Sequence, residues 1–500
     1  MSVAAMKINH APTLAGLLQG FADAPEVSVA GIASDSRQLQ EGFLFLACEG
    51  IGSHGLDYLQ QAIDAGACAV AWDPDSGVLP RDCDIPMIAV KGLLSHVGEI
   101  ANRFYGSPSK SLRTIGVTGT NGKTTVAWML SRCLQHIGER CAYIGTLGYG
   151  IGTLQGVAGM TTPAAVELHG HLADFVDAGA KAAAIEVSSH ALSQGRVDGV
   201  CFDAALFTNL TRDHLDYHGD MRSYFESKAR LFLLHDAGHK IINVDSEFGA
   251  ELAARCGRDT VAVSTQLDNV TESKRFVRIR SVDANRQGSV VAFTSSWGDG
   301  VFRLSLPGDF NVENALLVLA YLLASGIELE KASDAMELLD APPGRMQLVV
   351  ATGAPIYVDY AHTPDALGSV LRALRPHCRG RLWCLFGCGG DRDIGKRSQM
   401  GAIAERLADH VVVTTDNPRG EDPQSIIADI LDGFEQRDGA TVIEDRAAAI
   451  AWAVANALPD DVVLIAGKGH ENYQEIKGER QPFSDYALAL AAANAKESAA

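Results

Sequence analysis

The sequence lacks a long apolar run: its longest, Ala315 to Ala324, is about half of the ~20 residues a membrane span needs. Met1 to His10 lack the basic-then-apolar pattern of a secretory signal, so a cytoplasmic location is expected. Positive charge is scarce. Lys+Arg number 42 against 61 Asp+Glu, and the resulting −19 argues against a general affinity for nucleic acid or anionic lipid. An anionic substrate would need local Arg and Lys clusters to overcome that field. The 10 cysteines have no paired spacing, and Cys384 and Cys388 share what reads as one strand and turn. They are read as reduced packing residues rather than disulfides or zinc ligands. No repeat of about 20–50 residues is present, which excludes a solenoid. With 47% hydrophobic residues the chain can build several cores, and 500 residues predict about two to four domains.

The first ~90 residues read as short strands and helices: Val27 to Ile32, Gly42 to Ala47, a helix from Leu56 to Ala65, and Ala69 to Trp72. Helix Leu93 to Phe104 follows and is broken by Tyr105-Gly106-Ser107-Pro108-Ser109. From Leu112 apolar strands alternate with helices, the pattern of a parallel sheet with crossover helices. Strands are expected at Thr114–Val117, Ala182–Val187, Ala204–Phe207 and Ile241–Val244, with a β-rich excursion from Thr265 to Leu306. Ala341-Pro342-Pro343-Gly344 cannot continue a helix, and a second alternating series begins beyond it. The Ala-rich tail from Ala491 is expected to fray. The fold class is therefore α/β in three domains. Residues 1–92 form a small α/β domain, 93–344 a central parallel-sheet domain with a phosphate loop, and 345–500 a Rossmann-like domain.

Every unusual polar or Gly-rich cluster directly follows a strand, where open α/β sheets place ligands. The strongest is Gly119-Thr120-Asn121-Gly122-Lys123-Thr124-Thr125, between strand Thr114–Val117 and a helix. Glycines let backbone amides turn toward phosphate oxygens, Lys123 would neutralise the β/γ-phosphates, and the Thr124 hydroxyl would bind Mg²⁺. The loop is a tightened variant, because Val117 stands where the usual first Gly would be. Glu186, at a strand end, suits a second Mg²⁺ contact, although alone such a residue is more often a surface or ion-paired one. His214 alone reads as a hydrogen-bonding histidine, and Lys228, among Tyr224, Phe225 and Phe232, as a surface lysine.

Together Gly119–Thr125, Glu186–His190, Thr208–Asp220 and Lys228 resemble the ATP-dependent Mur ligase family of peptidoglycan synthesis. The resemblance runs over nearly the whole chain, through Asn311–Asn314, Gly344-Arg345, Asp359–Asp365, Phe386–Asp393 and Gly467–Glu471. Asp416-Asn417-Pro418-Arg419 narrows it to the members that add meso-2,6-diaminopimelate to UDP-N-acetylmuramoyl-L-alanyl-D-glutamate. The roles that follow are those the resemblance implies. Gly119 to Thr125, Asn314, Arg345 and Asp359 serve ATP, with His362 at a domain-closing position. Thr124 and Glu186 hold one of two Mg²⁺; His214 and Lys228, carbamylated to N6-carboxylysine, hold the other. Lys123, Glu186, His214 and Lys228 form the catalytic set. Ser34, Ser36, Ile51, Gly52, Ser53, Thr161, Thr162, Ser188, Gln194 and Arg196 take the UDP-sugar dipeptide, and Met160 stands where relatives often carry Asn. Arg392, Asp416, Asn417, Pro418, Arg419, Gly467 and Glu471 take diaminopimelate. A monomer is expected, its domains closing to exclude water from an acyl phosphate.

Charge supports the last assignment. Diaminopimelate ends in an ammonium and a carboxylate, lysine in an ammonium alone. Arg392 and Arg419 can fork onto carboxylate while Asp416 and Glu471 accept from ammonium. Rival readings fare worse. Asp416 to Arg419 argues against a lysine-adding sister; other Mur steps and folylpolyglutamate synthetase are the neighbouring alternatives. Gly387-Cys388-Gly389-Gly390 lacks the last Gly of a dinucleotide fingerprint, Arg392 standing in its place, and no Asn-Lys-x-Asp guanine-reading motif marks an NTPase switch.

Overall fold

A computed structural model describes residues 12–50, 52–156, 160–266, 273–285, 288–350, 353–436 and 439–499. The chain divides into two compact units. One comprises Met1–Lys123, Gly138–Ile242 and Ser246–Thr260; the other Thr124–Ile137, Asn243–Asp245 and Val261–Ala500.

The first unit holds two sheets. The smaller has four parallel strands in sequence order, Gly31–Ala33, Phe43–Ala47, Ala69–Trp72 and Met87–Ala89. Leu44 and Leu46 pack on Ile100 and Ala101 of helix Leu93–Phe104 from one face, and Phe45 on Leu59 and Ala62 from the other. The strand expected from Val27 starts only at Gly31. Val27 and Val29 instead bond the chain around helix Leu14–Leu18, through Leu14 N–H to Val27 O and Val29 N–H to Pro12 O. The helix expected from Leu56 opens as a 3₁₀ turn, Gly55–Tyr58, because the His54 ring and Asp57 cap it reciprocally, and becomes α-helical over Leu59–Asp64.

The larger set runs, in spatial order, His239–Asn243, Ala204–Phe207, Arg113–Thr118, Ala182–Glu186, Cys141–Gly145 and Gly148–Ile151. All pair parallel except the last two, a hairpin that is not among the expected elements. Cys141 to Ile144 are buried, while glycines follow at 145, 148 and 150. Gly150 has φ +154°, and a Cβ there would stand 2.3 Å from the Thr153 carbonyl. Only glycine fits at that position of the second strand.

In the second unit, strand Val261–Ser264 runs parallel to Arg275–Asn285, which continues antiparallel through Gly288–Ser295 and Gly298–Leu304. Helix Asp309–Ala324 takes up the long apolar run and is buried on most of its circumference. It is a core helix. No helix among the described residues is long and apolar enough to cross a membrane. A six-stranded sheet follows in the order Gln347–Val350, Ile356–Asp359, Val462–Ala466, Leu382–Phe386, His410–Val413 and Ala440–Val442, parallel except at its Gln347 edge. Up to residue 499 the tail is helical. It forms helix Asp485–Ala499, whose Ala489 and Ala493 pack against Ala449, Ile450 and Ala453 of helix Arg446–Asn456. Alanine combines the highest helix propensity with a side chain small enough for close packing. All ten cysteines are free, and burial pushes the thiols of Cys133, Cys141 and Cys388 up to about 12, which makes them unreactive.

Candidate functional site

Three neighbouring strands of the first unit, Ala204–Phe207, Arg113–Thr118 and Ala182–Glu186, end side by side. Each end carries one of the polar clusters. After Thr118 the chain turns through Gly119 (φ +151°) and Gly122 (φ +87°) into helix Lys123–His136. A Cβ at Gly119 would stand 1.9 Å from Thr208 Oγ1, so the loop is pressed against the next strand end. Asn209 fixes it there: its carbonyl accepts from Thr120 N–H at 2.9 Å and its Oδ1 from Asn121 N–H at 3.0 Å. Lys123 Nζ donates to the carbonyls of Gly119 (2.9 Å) and Thr120 (2.8 Å). Thr124 is buried at the start of the helix.

Glu186 is fully buried, and its carboxylate is held by residues of the unexpected hairpin. Tyr143 OH donates to Oε1, Thr146 N–H to Oε1 at 2.9 Å, and Thr146 Oγ1 to Oε2 at 3.1 Å. Neither Tyr143 nor Thr146 is a sequence-level candidate. A Cβ at Gly145 would stand 2.1 Å from Oε1, so the glycine makes room for the carboxylate.

Lys228 overturns its default reading. It is not a surface lysine but 1% exposed, in helix Met221–Leu233. Its Nζ donates to Gly119 O at 2.8 Å and lies 4.4 Å from the Tyr224 ring centroid. Burial first, and the charge of Lys123 second, hold its pKa well below the usual lysine value. A cavity of about 240 Å³ brings Lys123, Lys228 and His214 together with Thr161, Ser188 and Arg196, and Met160 also lines it. His214 stands in the left-handed region (φ +52°), half-exposed, its ring 5.0 Å from that of His190. Among the described residues no three His, Cys, Asp or Glu side chains cluster as a metal site.

The proposed sugar-contacting residues of the first unit fall in two groups. Thr162 Oγ1 donates to Glu186 O at 2.7 Å and accepts from Ser188 N–H at 3.0 Å, while Ser188 Oγ caps helix Ser189–Ser193. Arg196 donates to Thr162 O (3.0 Å) and Gln194 Oε1 (2.9 Å), and Gln194 to Tyr217 OH (3.3 Å). These residues form one network with Glu186. Beyond the strands of the four-stranded sheet, Ser34, Gly52 and Ser53 are exposed, and Ser36 is buried and donates to Gln61 Oε1 at 3.0 Å. Ile51 lies outside the described residues.

The second unit repeats the pattern. Asp359 ends strand Ile356–Asp359 and accepts from Met346 and Ala361 N–H, both at 2.7 Å. Burial raises its pKa, against the pull of Arg345. The Arg345 guanidinium lies 4.5 Å from the Tyr360 ring, and Asn314 is buried in helix Asp309–Ala324. The His362 ring, on an exposed residue, bonds Tyr360 O at 2.9 Å.

Asp416 and Gly467 follow two strands of the same sheet, and a Cβ at Gly467 (φ +114°) would stand 2.6 Å from Asp416 Oδ2. Buried Asn417 donates to Glu471 Oε2 at 2.8 Å and accepts from Lys468 Nζ at 2.9 Å and Glu475 N–H at 3.0 Å. Lys468, fully buried and also 3.1 Å from Glu471 Oε2, is absent from the sequence-level candidates, although it sits inside Gly467–Glu471. Glu471 is thus already paired within the protein. Arg419 stands at φ +51°, clamped by its N–H to Glu475 O and by Lys477 N–H to its carbonyl, and Nη1 donates to Gly390 O at 2.7 Å. A Cβ at Gly389 would be 2.9 Å from Arg419 Nη1 and 3.8 Å from Cγ of exposed Arg392, so both arginines flank one glycine. A Cβ at the adjacent Gly390 would meet the Pro418 carbonyl at 2.0 Å.

Three family models match the chain in succession: the Mur ligase family catalytic domain at residues 28–105, the Mur ligase middle domain at 117–322 and the Mur ligase glutamate ligase domain at 344–469. The UDP-N-acetylmuramoyl-L-alanyl-D-glutamate–2,6-diaminopimelate ligase of Pseudomonas syringae pv. tomato is 46% identical over 463 residues, 92% of this chain and 94% of the relative. The enzyme of the same name from Xanthomonas campestris pv. campestris is 46% identical over 491 residues, 97% and 98% of the two chains. A solved structure with that enzyme name superposes with a TM-score of 0.72 at 34% identity, covering 97% of this chain and 99% of that one. A MurF ligase from Thermotoga maritima in complex with ADP, 17% identical, superposes at 0.63 and shares the fold.

Proposed function

The chain belongs to the Mur ligase family, and from that membership we propose that it joins meso-2,6-diaminopimelate to UDP-N-acetylmuramoyl-L-alanyl-D-glutamate with cleavage of ATP to ADP and phosphate. The observation that carries the choice of amino acid is the juxtaposition of Arg419 and Arg392 around Gly389, on the same sheet edge as Asp416. Two arginines and an aspartate beyond the ends of adjacent strands suit a substrate end bearing both signs of charge. Lysine, lacking the carboxylate, would leave a guanidinium without its anion, and an unpaired polar group discriminates more strongly than a lost contact.

In this reading residues 1–92 and the Thr161–Arg196 network bind the nucleotide sugar, 93–344 work on ATP and 345–500 on the amino acid, in a cytoplasmic monomer. The D-Glu γ-carboxylate attacks the γ-phosphorus, ADP leaves, and Lys123 offsets the charge spreading over the phosphoryl oxygens. The diaminopimelate amine then attacks the acyl carbon, phosphate departs with the C–O bond electrons, and the amine loses its proton to leave an amide. Gly119 to Thr125, Asn314, Arg345 and Asp359 hold ATP. Thr124, Glu186, His214 and Lys228 would hold two Mg²⁺, which supply charge neutralisation at the transferred phosphoryl group.

Oxygen donors such as the Thr124 hydroxyl and the Glu186 carboxylate suit a hard cation. Lys228 as an ammonium does not, and a carbamate, an anionic oxygen ligand, does. Burial favours the neutral amine that reacts with CO₂. The test is phosphate release by purified protein with magnesium and ATP. Release should require both UDP-N-acetylmuramoyl-L-alanyl-D-glutamate and diaminopimelate. Equal turnover with lysine would overturn the specificity, and no release with any amino acid would overturn the reaction.

A further inference from the structure

Among the most deeply buried side chains is a complete ion pair. Arg446 opens helix Arg446–Asn456 and Asp485 opens helix Asp485–Ala499, and both side chains are 0% exposed. The pair is bidentate, Nε to Oδ1 at 2.8 Å and Nη2 to Oδ2 at 2.7 Å. The remaining guanidinium donors reach two strand ends: Nη1 bonds Thr415 O at 3.2 Å and Nη2 bonds Ala466 O at 2.9 Å. Those carbonyls belong to the peptide bonds entering Asp416 and Gly467. The strands concerned are not neighbours, since Leu382–Phe386 runs between them. One planar group therefore spans the middle strand and sets the spacing of its two flanking ends.

A buried ion pair is a weak source of stability, because desolvation offsets much of the attraction. Ala449, Ile450, Ala453, Ala489 and Ala493 already hold the two helices together. What an apolar pair could not do is grip the two carbonyls. The spacing they fix has no slack, given the 2.6 Å separating Asp416 Oδ2 from a Cβ at Gly467. Gln474 completes the arrangement from the other side, donating to Asp416 O at 2.7 Å and to Thr415 Oγ1 at 3.0 Å. The carboxylates of Asp416 and Glu471 in turn favour the charged form of the Arg446 guanidinium.

We propose that Arg446 and Asp485 are positioning residues for the amino-acid pocket, holding Asp416 and Gly467 at the separation that admits diaminopimelate. The proposal rests on the reading of that pocket given above. Two full-length variants test it: the double substitution Arg446→Met with Asp485→Leu, which replaces the pair by apolar volume, and Arg446→Lys, which keeps the charge and loses the planar fork. Each is first shown by thermal melting to fold, and phosphate release then gives separate KM values for diaminopimelate, ATP and the nucleotide sugar. Either variant should raise KM for diaminopimelate about tenfold or more, as misplacing a positioned group does, with KM for ATP unchanged. If the double variant does not fold, Arg446→Lys alone decides. Wild-type KM for diaminopimelate in a folded variant, or an equal rise for all three substrates, reduces the pair to a fastener of helices and overturns the proposal. Wild-type protein that makes no use of diaminopimelate would instead sink the pocket reading, and the proposal with it.

Discussion

Replacing Glu313 by glutamine isolates a buried charge. Glu313 lies in helix Asp309–Ala324, and burial, then the negative charges of Asp245 and Asp309, push its pKa from 4.5 to about 7. Asp245 is itself fixed in place, accepting from Thr265 N–H at 2.7 Å and Oγ1 at 2.8 Å, so it cannot swing away. The sign follows from linkage: a carboxyl whose folded pKa is raised contributes stability that is whole below 4.5 and lost as pH rises through about 7. The full rise corresponds to roughly 3 kcal/mol, and partial access to water brings that to about 2 kcal/mol. Glutamine keeps the shape and never ionises. Glu313→Gln should therefore match the parent near about pH 4 and exceed it by about 2 kcal/mol near about pH 8.5, read from urea midpoints at both pH values. Equal midpoints at the higher pH would refute the reasoning, since Glu313 would then ionise there at no cost.

Three other substitutions probe the site. Gly145→Ala drives a methyl to within 2.1 Å of Glu186 Oε1 and 2.5 Å of Tyr143 OH; it should cost about 1–3 kcal/mol of stability and most of the phosphate-release activity, and a normal rate would show that the carboxylate has room to move. Lys228→Ala should abolish activity while leaving the fold intact by circular dichroism, and a near-normal rate would mean that no carbamate is used. Arg419→Ala should raise KM for diaminopimelate far more than KM for ATP, whereas equal rises would place Arg419 outside the pocket.

What the sequence discloses is what is local. Gly119 to Thr125, Glu186, Asp416 and Gly467 each follow a run of apolar residues that can only be a buried strand, and strand ends are where such sheets put their chemistry. Their partners are not local. Tyr143 and Thr146 reach Glu186 across 43 and 40 residues from a glycine-rich hairpin, where the alternation that marks a strand is diluted by residues without side chains. Lys228 has the aromatic neighbours of a buried residue in plain view. Its burial against Gly119, 109 residues away, depends on a helix docking that no periodicity reveals. Asp485 opens an alanine-rich helix whose composition looks like fraying, and only the match to helix Arg446–Asn456 makes it a core element.

The carbonyl oxygen of Gly119 accepts from two amino groups at once, Lys123 Nζ at 2.9 Å and Lys228 Nζ at 2.8 Å. A shared acceptor of this kind makes the two side chains interdependent. A carbamate formed at Lys228 would keep one N–H on Nζ for that oxygen, while its carboxylate would put a new negative charge beside the Lys123 ammonium. The glycine loop thus registers the chemical state of a residue 109 positions further along the chain.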